Sequence, residues 1–386
     1  MKNITFLKRF IVLFTFAFNT VFAQKAEIIQ SITKVHMSNE YYTQQAQLWK
    51  TELDKNNTNP QAWFNYYRAN RYMQIAGEND TVRGNSRFDR LNSIINDMEK
   101  KIPNSFEFNY LKWLNGSNDL SLFNYLEKAY AIDPEREETY TDFVSTYEMM
   151  MQPDKREEFA KKLFAKGNVS PGYLNYNYNV LMSLKPNAIL LTVGDNDTYP
   201  IWILQAQFGI RKDVQVVNLS MLYVNEYFKK ICTKLQFEYL NPMESYQNAT
   251  LYVNSIVKRI ANNQLKRPVY TALTVDEKFT RPVSDELYLV GLAYEYSNDK
   301  FDNIAVLKKN MEQNFALDYL QVQFYSDNAK ESIKYANGNY LVPMITLYDH
   351  YKLSNQNDEA KHWQKLIELV AKNCGQEEYI KEYIKE

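Results

Sequence analysis

Cysteine and histidine are scarce in this chain. Among 386 residues there are two cysteines, Cys232 and Cys374, and three histidines, His36, His350 and His362, all far apart in sequence. No C-x-x-C or H-x-x-x-H spacing occurs, so the sequence offers no zinc framework. The two cysteines either pair as a disulfide or remain buried thiols. Sequence leaves both open, because it does not fix their Cα separation. An excess of either charge is also missing: 45 basic residues stand against 46 acidic ones. That balance excludes the basic surplus of a nucleic-acid binder. No Gly-rich loop is present, which argues against a dinucleotide site. Past the first two dozen residues, no apolar run approaches the ~20 residues of a membrane span.

The N-terminus reads differently. Lys2, Lys8 and Arg9 give a positive start, Phe10 to Phe18 is apolar, and Val21 and Ala23 stand at −3 and −1 of a cut before Gln24. This is the pattern of a secretory signal peptide over residues 1–23. An uncleaved anchor is the alternative, although the apolar stretch is short for a span. No cysteine stands at the cut, which argues against a lipid anchor. The expectation is an exported chain, periplasmic or secreted, cleaved near Ala23 and with no transmembrane span afterwards.

Aromatic residues are abundant: 31 Tyr, 21 Phe and 5 Trp. Aromatic rings bind sugar faces, but most of these fall at helical spacing, where they pack helices together. Tyr41, Ala46, Trp49 and Leu53 share one face of a predicted helix. Trp63, Tyr66, Tyr67 and Tyr72 lie on the next, with Pro60 suited to its first turn. Residues 77–86 are loop by composition, and 86–101 carry an apolar stripe of a third helix. The stretch 122–150 is similar to a tetratricopeptide repeat: Ala129, Ile132, Asp133 and Pro134 end one helix, and Tyr140, Phe143 and Tyr147 populate the next. A helix follows at 154–166. Residues 339–372 read as a further pair, with Tyr348, Tyr351 and Leu353 before a turn and Ala360, Trp363 and Leu366 after it. Such pairs bury little alone and must stack, and stacked pairs make binding surfaces.

Between 173 and 300 the period changes. Residues 187–193, 213–220 and 267–273 are apolar runs of the kind seen in strands covered on both faces. Helical patterns at 199–208, 223–235 and 250–265 separate them, and 286–297 read as a strand or strand pair. The predicted fold is therefore α/β plus all-α: a small, mostly parallel sheet module flanked by tetratricopeptide-like helix pairs. The expected organisation is signal peptide 1–23, helical region 24–172, α/β module 173–300 and C-terminal helical pairs 301–386.

Within the module, "LLTVGDNDTYPIWIL" (190–204) carries two aspartates between two apolar runs. In open α/β sheets, ligands bind beyond the carboxyl ends of strands, and Val193 ends the first strand. Each residue also has an architectural use. Gly194 permits a sharp turn, Asp197 or Thr198 can cap helical amides, and Pro200 fits a first turn. The functional alternative is that Asp195 and Asp197 hold a divalent cation, since oxygen-rich pairs favour Mg²⁺, Mn²⁺ or Ca²⁺. Another is that Asp195 and Asn196 contact a polar ligand. Asn218 and Ser220 end the second strand and would stand beside them. Asp195, Asn196, Asp197, Asn218 and Ser220 thus form the candidate ligand cluster. No catalytic residue is assigned, because Ser220 lacks a neighbouring base. Arg211 and Asp213 fall in the turn at the opposite end of the sheet and read as a structural ion pair.

The same segment resembles a stretch in the soluble C-terminal part of a bacterial multi-spanning membrane-protein family. That family is assigned to the C-type, lipid-linked-sugar protein O-mannosyltransferases. The matching residues are Gly194 to Pro200 with Trp202, then Gln205, Gly209, Arg211, Asp213 and Val214, and Val217 to Ser220. Residues 286–296 resemble a later stretch. The resemblance implies a soluble module related to a glycosyltransferase that acts outside the cytoplasm. The membrane portion and its catalytic carboxylate have no counterpart here. Separately, Asp80-Thr81-Val82 resembles a bacterial O-glycosylation acceptor, making Thr81 a candidate modification site.

The leading expectation is an exported, non-catalytic scaffold of the cell envelope. Its helical repeats would bind a protein partner, and its α/β module a polar ligand or partner, with a link to protein O-glycosylation. The alternatives are a metal-assisted, glycan-active enzyme at the Asp-Asn-Asp turn and a glycan- or solute-binding protein.

Overall fold

A computed structural model describes residues 25–32, 35–74, 86–239, 256–322 and 325–385. The signal-peptide segment 1–23 and Thr81 lie outside the described residues, as do most of the 77–86 loop and the start of the 250–265 helix. The chain is mostly helical, with one small mixed sheet.

The N-terminal region is built from helices α1 (Asn39–Lys55), α2 (Pro60–Tyr72), α3 (Ser86–Lys101), α4 (Phe106–Asn115), α5 (Phe123–Ile132), α6 (Glu138–Met149), α7 (Pro153–Ala165) and α8 (Pro171–Met182). Their starts follow from local chemistry. The Ser38 and Asn59 side chains accept from the amides of Tyr41 and Ala62, and Pro60 sits in the first turn of α2, where a missing N–H costs nothing. α1 packs on α2, α4 on α5 and α6 on α7. The aromatic stripes meet between them: Phe123, Phe143, Tyr147 and Phe159 interlock, with Phe143 and Phe159 stacked at 4.3 Å. Packing accounts for these rings. The helices differ in length from pair to pair, so the structure supports helix pairing without a fixed tetratricopeptide repeat. Helices α4 and α8 were not anticipated. At the other end, Leu341–Leu353 packs on Asn357–Cys374, the pair expected at 339–372.

The sheet comprises β1 (Ile189–Thr192), β2 (Gln215–Asn218), β3 (Val269–Ala272), β4 (Leu287–Leu289) and β5 (Ala293–Tyr296), in the order β2-β1-β3-β5-β4. β1 pairs in parallel with β2, Ile189 opposite Gln215, and with β3, Ile189 opposite Val269. Helix α9 (Tyr199–Phe208) makes the β1–β2 crossover and is buried from Pro200 to Ala206. Ile189, Leu190 and Leu191 are no more than 1% exposed, as a strand covered on both faces requires. The sheet departs from the mostly parallel expectation on its other side, because β5 runs antiparallel to both β3 and β4. The cause is connection length. Only a few residues join β4 to β5, and so short a link can join only antiparallel neighbours. Gly291 makes that turn at φ 149°, where a Cβ would meet Ser183 Oγ at 2.6 Å and Phe315 at 2.8 Å. Among the described residues no helix is long and apolar enough to cross a membrane.

Candidate functional site

The site starts where β1 runs out. After Thr192 the chain must turn and enter α9, and the Asp197 side chain closes that turn. It folds back and accepts from the Val193 amide at 3.1 Å and the Gly194 amide at 2.8 Å. The Thr198 and Thr274 hydroxyls donate to it at 3.2 and 2.6 Å. Each carboxylate oxygen therefore receives two donors. Burial pushes its carboxyl above the usual range, while the Thr274, Val193, Gly194 and Thr198 hydrogen bonds pull it down. The expected capping role is corrected here. Neither Asp197 nor Thr198 caps α9 with its side chain, because the strand-end amides compete successfully for the carboxylate. The Asp195 carbonyl accepts from the Tyr199 amide at 3.0 Å instead.

Asn218 and Ser220 do stand beside the turn, at the end of β2, but they are occupied. The Asn218 amide nitrogen donates to the Gly194 carbonyl at 3.3 Å and to Thr198 Oγ1 at 2.9 Å. Its oxygen accepts from the Ser220 and Met221 amides. Ser220 Oγ donates to the Val193 carbonyl at 2.7 Å. These residues knit two strand ends together. With Asp197 they are structural.

Asp195 and Asn196 differ from them. Among the described residues nothing donates a hydrogen bond or an ion pair to the Asp195 carboxylate. It is exposed to solvent, yet protein surrounds it on most sides. That partial burial, and then the neighbouring Asp197 charge, push its carboxyl above the usual range. The backbone beneath it is fixed, since Asn177 donates to the Asn196 carbonyl at 2.8 Å. Asp195 and Asn196 form a ridge between two hollows. One, of about 450 Å³, is walled by Tyr173, Tyr176, Thr274, Tyr335 and Asn339. The other, of about 130 Å³, lies toward Thr141, Ser170 and Asn328. Tyr173 borders both. Tyr335 is 81% exposed at the mouth of the larger one.

This arrangement offers hydroxyl and amide donors, free carboxylate oxygens and tyrosine faces. A hydroxyl-rich ligand would use all three. A divalent cation shared by Asp195 and Asp197 fits poorly, because Asp197 has no oxygen lone pair left uncommitted. Among the described residues no group of three or more His, Cys, Asp or Glu gathers to hold a metal. Cys232 and Cys374 are free, and burial pushes the Cys232 thiol up to about 11.

Sequence reasoning missed Tyr173, Thr274, Tyr335 and Asn339. Thr274 follows β3 as Asp197 follows β1, so the strand-end rule could have found it. Tyr335 lies on the distant helix Lys330–Gly338 and Asn339 follows its end, and nothing in the sequence linked either to the turn. A second carboxylate was also missed. Burial pushes Asp142, on α6, up to about 6, although the neighbouring Tyr110 hydroxyl and Trp113 indole pull it down. The charge of Asp195 adds to that rise, which ties the helical region to the site.

No curated protein matches the chain. Residues 173–255, from α8 through the turn and both strand ends to beyond α10 (Asn225–Leu235), match the TMEM260-associated domain 2, a family linked to membrane glycosyltransferase-like proteins.

Proposed function

We propose that this protein is an exported, non-catalytic binding protein of the bacterial cell envelope, in which the α/β rim takes a hydroxyl-rich ligand of the saccharide class. The helical pairs hold a protein partner, and the setting is protein O-glycosylation of the lipid-linked mannose type. The observation that carries the ligand reading is the contrast inside one turn: Asp197 is saturated, while Asp195 has no partner among the described residues and stands beside a hollow of about 450 Å³ with tyrosine walls. Binding sites of this size with a few convergent polar groups suit small ligands. The family match over 173–255 supports the glycosylation setting. The N-terminal sequence supports export.

The test is calorimetric titration of the full mature chain with mannose and mannobiose. Binding should be measurable and should weaken about tenfold or more in Asp195→Asn and in Tyr335→Ala, the loss expected for one charge-assisted or stacking contact. Saccharides that give no heat with the intact chain, while calcium or magnesium does, would replace this reading with the metal-assisted one.

A further inference from the structure

A second recess, away from the Asp195 ridge, lies against the outer edge of β2. It measures about 720 Å³ and is bounded by α7 and α10. Five cations line it (Arg156, Lys212, Lys229, Lys230 and Lys234) against three carboxylates, Glu148, Glu157 and Glu226. All three carboxylates are already neutralised. Glu148 is paired with Arg156 and accepts from the Tyr227 hydroxyl at 3.1 Å. Glu157 pairs with Lys212 and Glu226 with Lys229, both at 2.9 Å. Lys230 is held by the Met149 and Met150 carbonyls, at 3.4 and 3.3 Å. Lys234 has no hydrogen-bond or ion-pair partner among the described residues. Partial burial lowers its ammonium below the usual lysine range.

The strand edge on the floor has the same bias. Gln215 donates to the Ala188 carbonyl across the ladder, so the alternate residue, Val216, turns its amide and carbonyl away from β1. The Val216 carbonyl is covered by the Gln215 side-chain amide at 3.0 Å, and the Val214 carbonyl by Gln205 at 2.8 Å. Acceptors on this edge are capped, and the Val216 amide remains as a donor. An added peptide strand needs donors and acceptors in alternation, so this edge is closed to one. An oxyanion needs donors alone. A surplus of two positive charges suits a phosphate monoester, which carries nearly −2 at neutral pH. Met151, Pro153 and Val214 give the recess an apolar side for an organic group.

We propose that this recess binds a small phosphate-bearing organic anion, held by Lys234 and the Val216 edge amide. The full chain would be titrated by calorimetry with inorganic phosphate, phenyl phosphate and malonate, at low and physiological salt. Lys234 acetylation by acetic anhydride would be followed by mass spectrometry in the same solutions. Both phosphates should bind and shield Lys234, with phenyl phosphate tighter because of its ring. Lys234→Met should weaken binding about ten- to a hundredfold, the loss of one charge-assisted contact, whereas Lys234→Arg should retain most of it. Asp195→Asn should leave phosphate binding unchanged, which separates this site from the saccharide site. Unchanged affinity in Lys234→Met, no shielding of Lys234 by either phosphate, or malonate binding as tightly as phenyl phosphate would each overturn the assignment. Should Lys234→Met fail to fold, the shielding measurement on the unaltered chain decides alone.

Discussion

The two ends of the β1–α9–β2 unit use similar residues for different purposes. At the amino end, Arg211 donates to the Leu181, Leu184 and Lys185 carbonyls and pairs with Asp213 at 3.0 Å. Asp213 also accepts from the Asn187 amide, and Arg267 covers the Asn187, Ala188 and Asp213 carbonyls. Every charged group there is engaged with backbone or with another charge. At the carboxyl end, Asp197 performs the same service for Val193 and Gly194, yet two residues away Asp195 has no hydrogen-bond or ion-pair partner among the described residues. A chain built only to fold gains little from an unpartnered carboxylate in a partly buried setting, where burial disfavours its charge. The closed end thus calibrates the open one. Its residues should govern stability, and Asp195 should not.

The largest expected effect is at the closed end. Arg211→Ala should cost about 2–4 kcal/mol, because three carbonyls and Asp213 lose donors that only a guanidinium reaches together. Urea denaturation measures it. The Arg211 hydrogen bonds, first among several causes, hold the Asp213 carboxyl down at about 2, from 3.8. A depressed acid contributes stability above its unfolded value and loses it as pH falls from 3.8 toward 2. Arg211→Ala should shrink that acid limb, leaving the part held by the Asn187 amide. Asp197→Asn should come next, at about 2–3 kcal/mol. An amide offers one acceptor oxygen where four donors converge, and its NH₂ would face donors. A change below 0.5 kcal/mol at either position would erase the contrast between the two ends.

Much of this unit was legible in the sequence. The apolar run before Gly194, Pro200 in the first helical turn and the second run after Asp213 placed β1, α9 and β2 within a residue or two. Period and punctuation are local, and they survive without knowledge of neighbours. The sheet's mixed direction was not legible, because it depends on β5 folding back from β4 onto β3, a choice made by a hairpin around Gly291. The candidate cluster was legible as a neighbourhood and misleading as a site. The strand-end rule brought Asp195, Asp197, Asn218 and Ser220 together. Which side chains the backbone would consume depended on the unpaired amides at 193, 194, 220 and 221 and on Thr274, which arrives from another strand. Asp142 gave no signal, since an acid on an amphipathic helix ordinarily faces water.

That missed acid supplies the third prediction. Burial raises Asp142 to about 6 from 3.8, so the folded chain binds a proton that the unfolded chain has already lost. Between those values stability should therefore fall as pH rises, with a slope approaching about 1.4 kcal/mol per pH unit at most. Asp142→Asn should reduce this slope, leaving the part that the raised Asp195 and Asp197 carboxyls contribute, and should keep the acid limb of Asp213 intact. Thermal melts at half-unit pH steps measure both. A slope unchanged in Asp142→Asn would assign all of it to the other raised carboxyls, Asp195 and Asp197.

The smallest stability effect should come from Asp195→Asn, and it is the one on which the comparison turns. The change keeps the shape of the ridge and the Tyr199 amide bond to the Asp195 carbonyl, since that oxygen belongs to the backbone. It removes a charge that no donor among the described residues satisfies and that the Asp197 carboxylate repels. Stability should then stay within about 0.5 kcal/mol of the parent, or rise slightly. Removing that charge should also ease Asp142, whose carboxyl Asp195 helps to raise, so its apparent value should move down from about 6 in a carbon-13 titration. A shift there without loss of stability would mean that Asp195 is electrically coupled to the helical region while contributing nothing to the fold. A loss of 2 kcal/mol or more would instead make Asp195 another closure of the turn, like Asp197, and would leave the open end of the unit no different from the closed one.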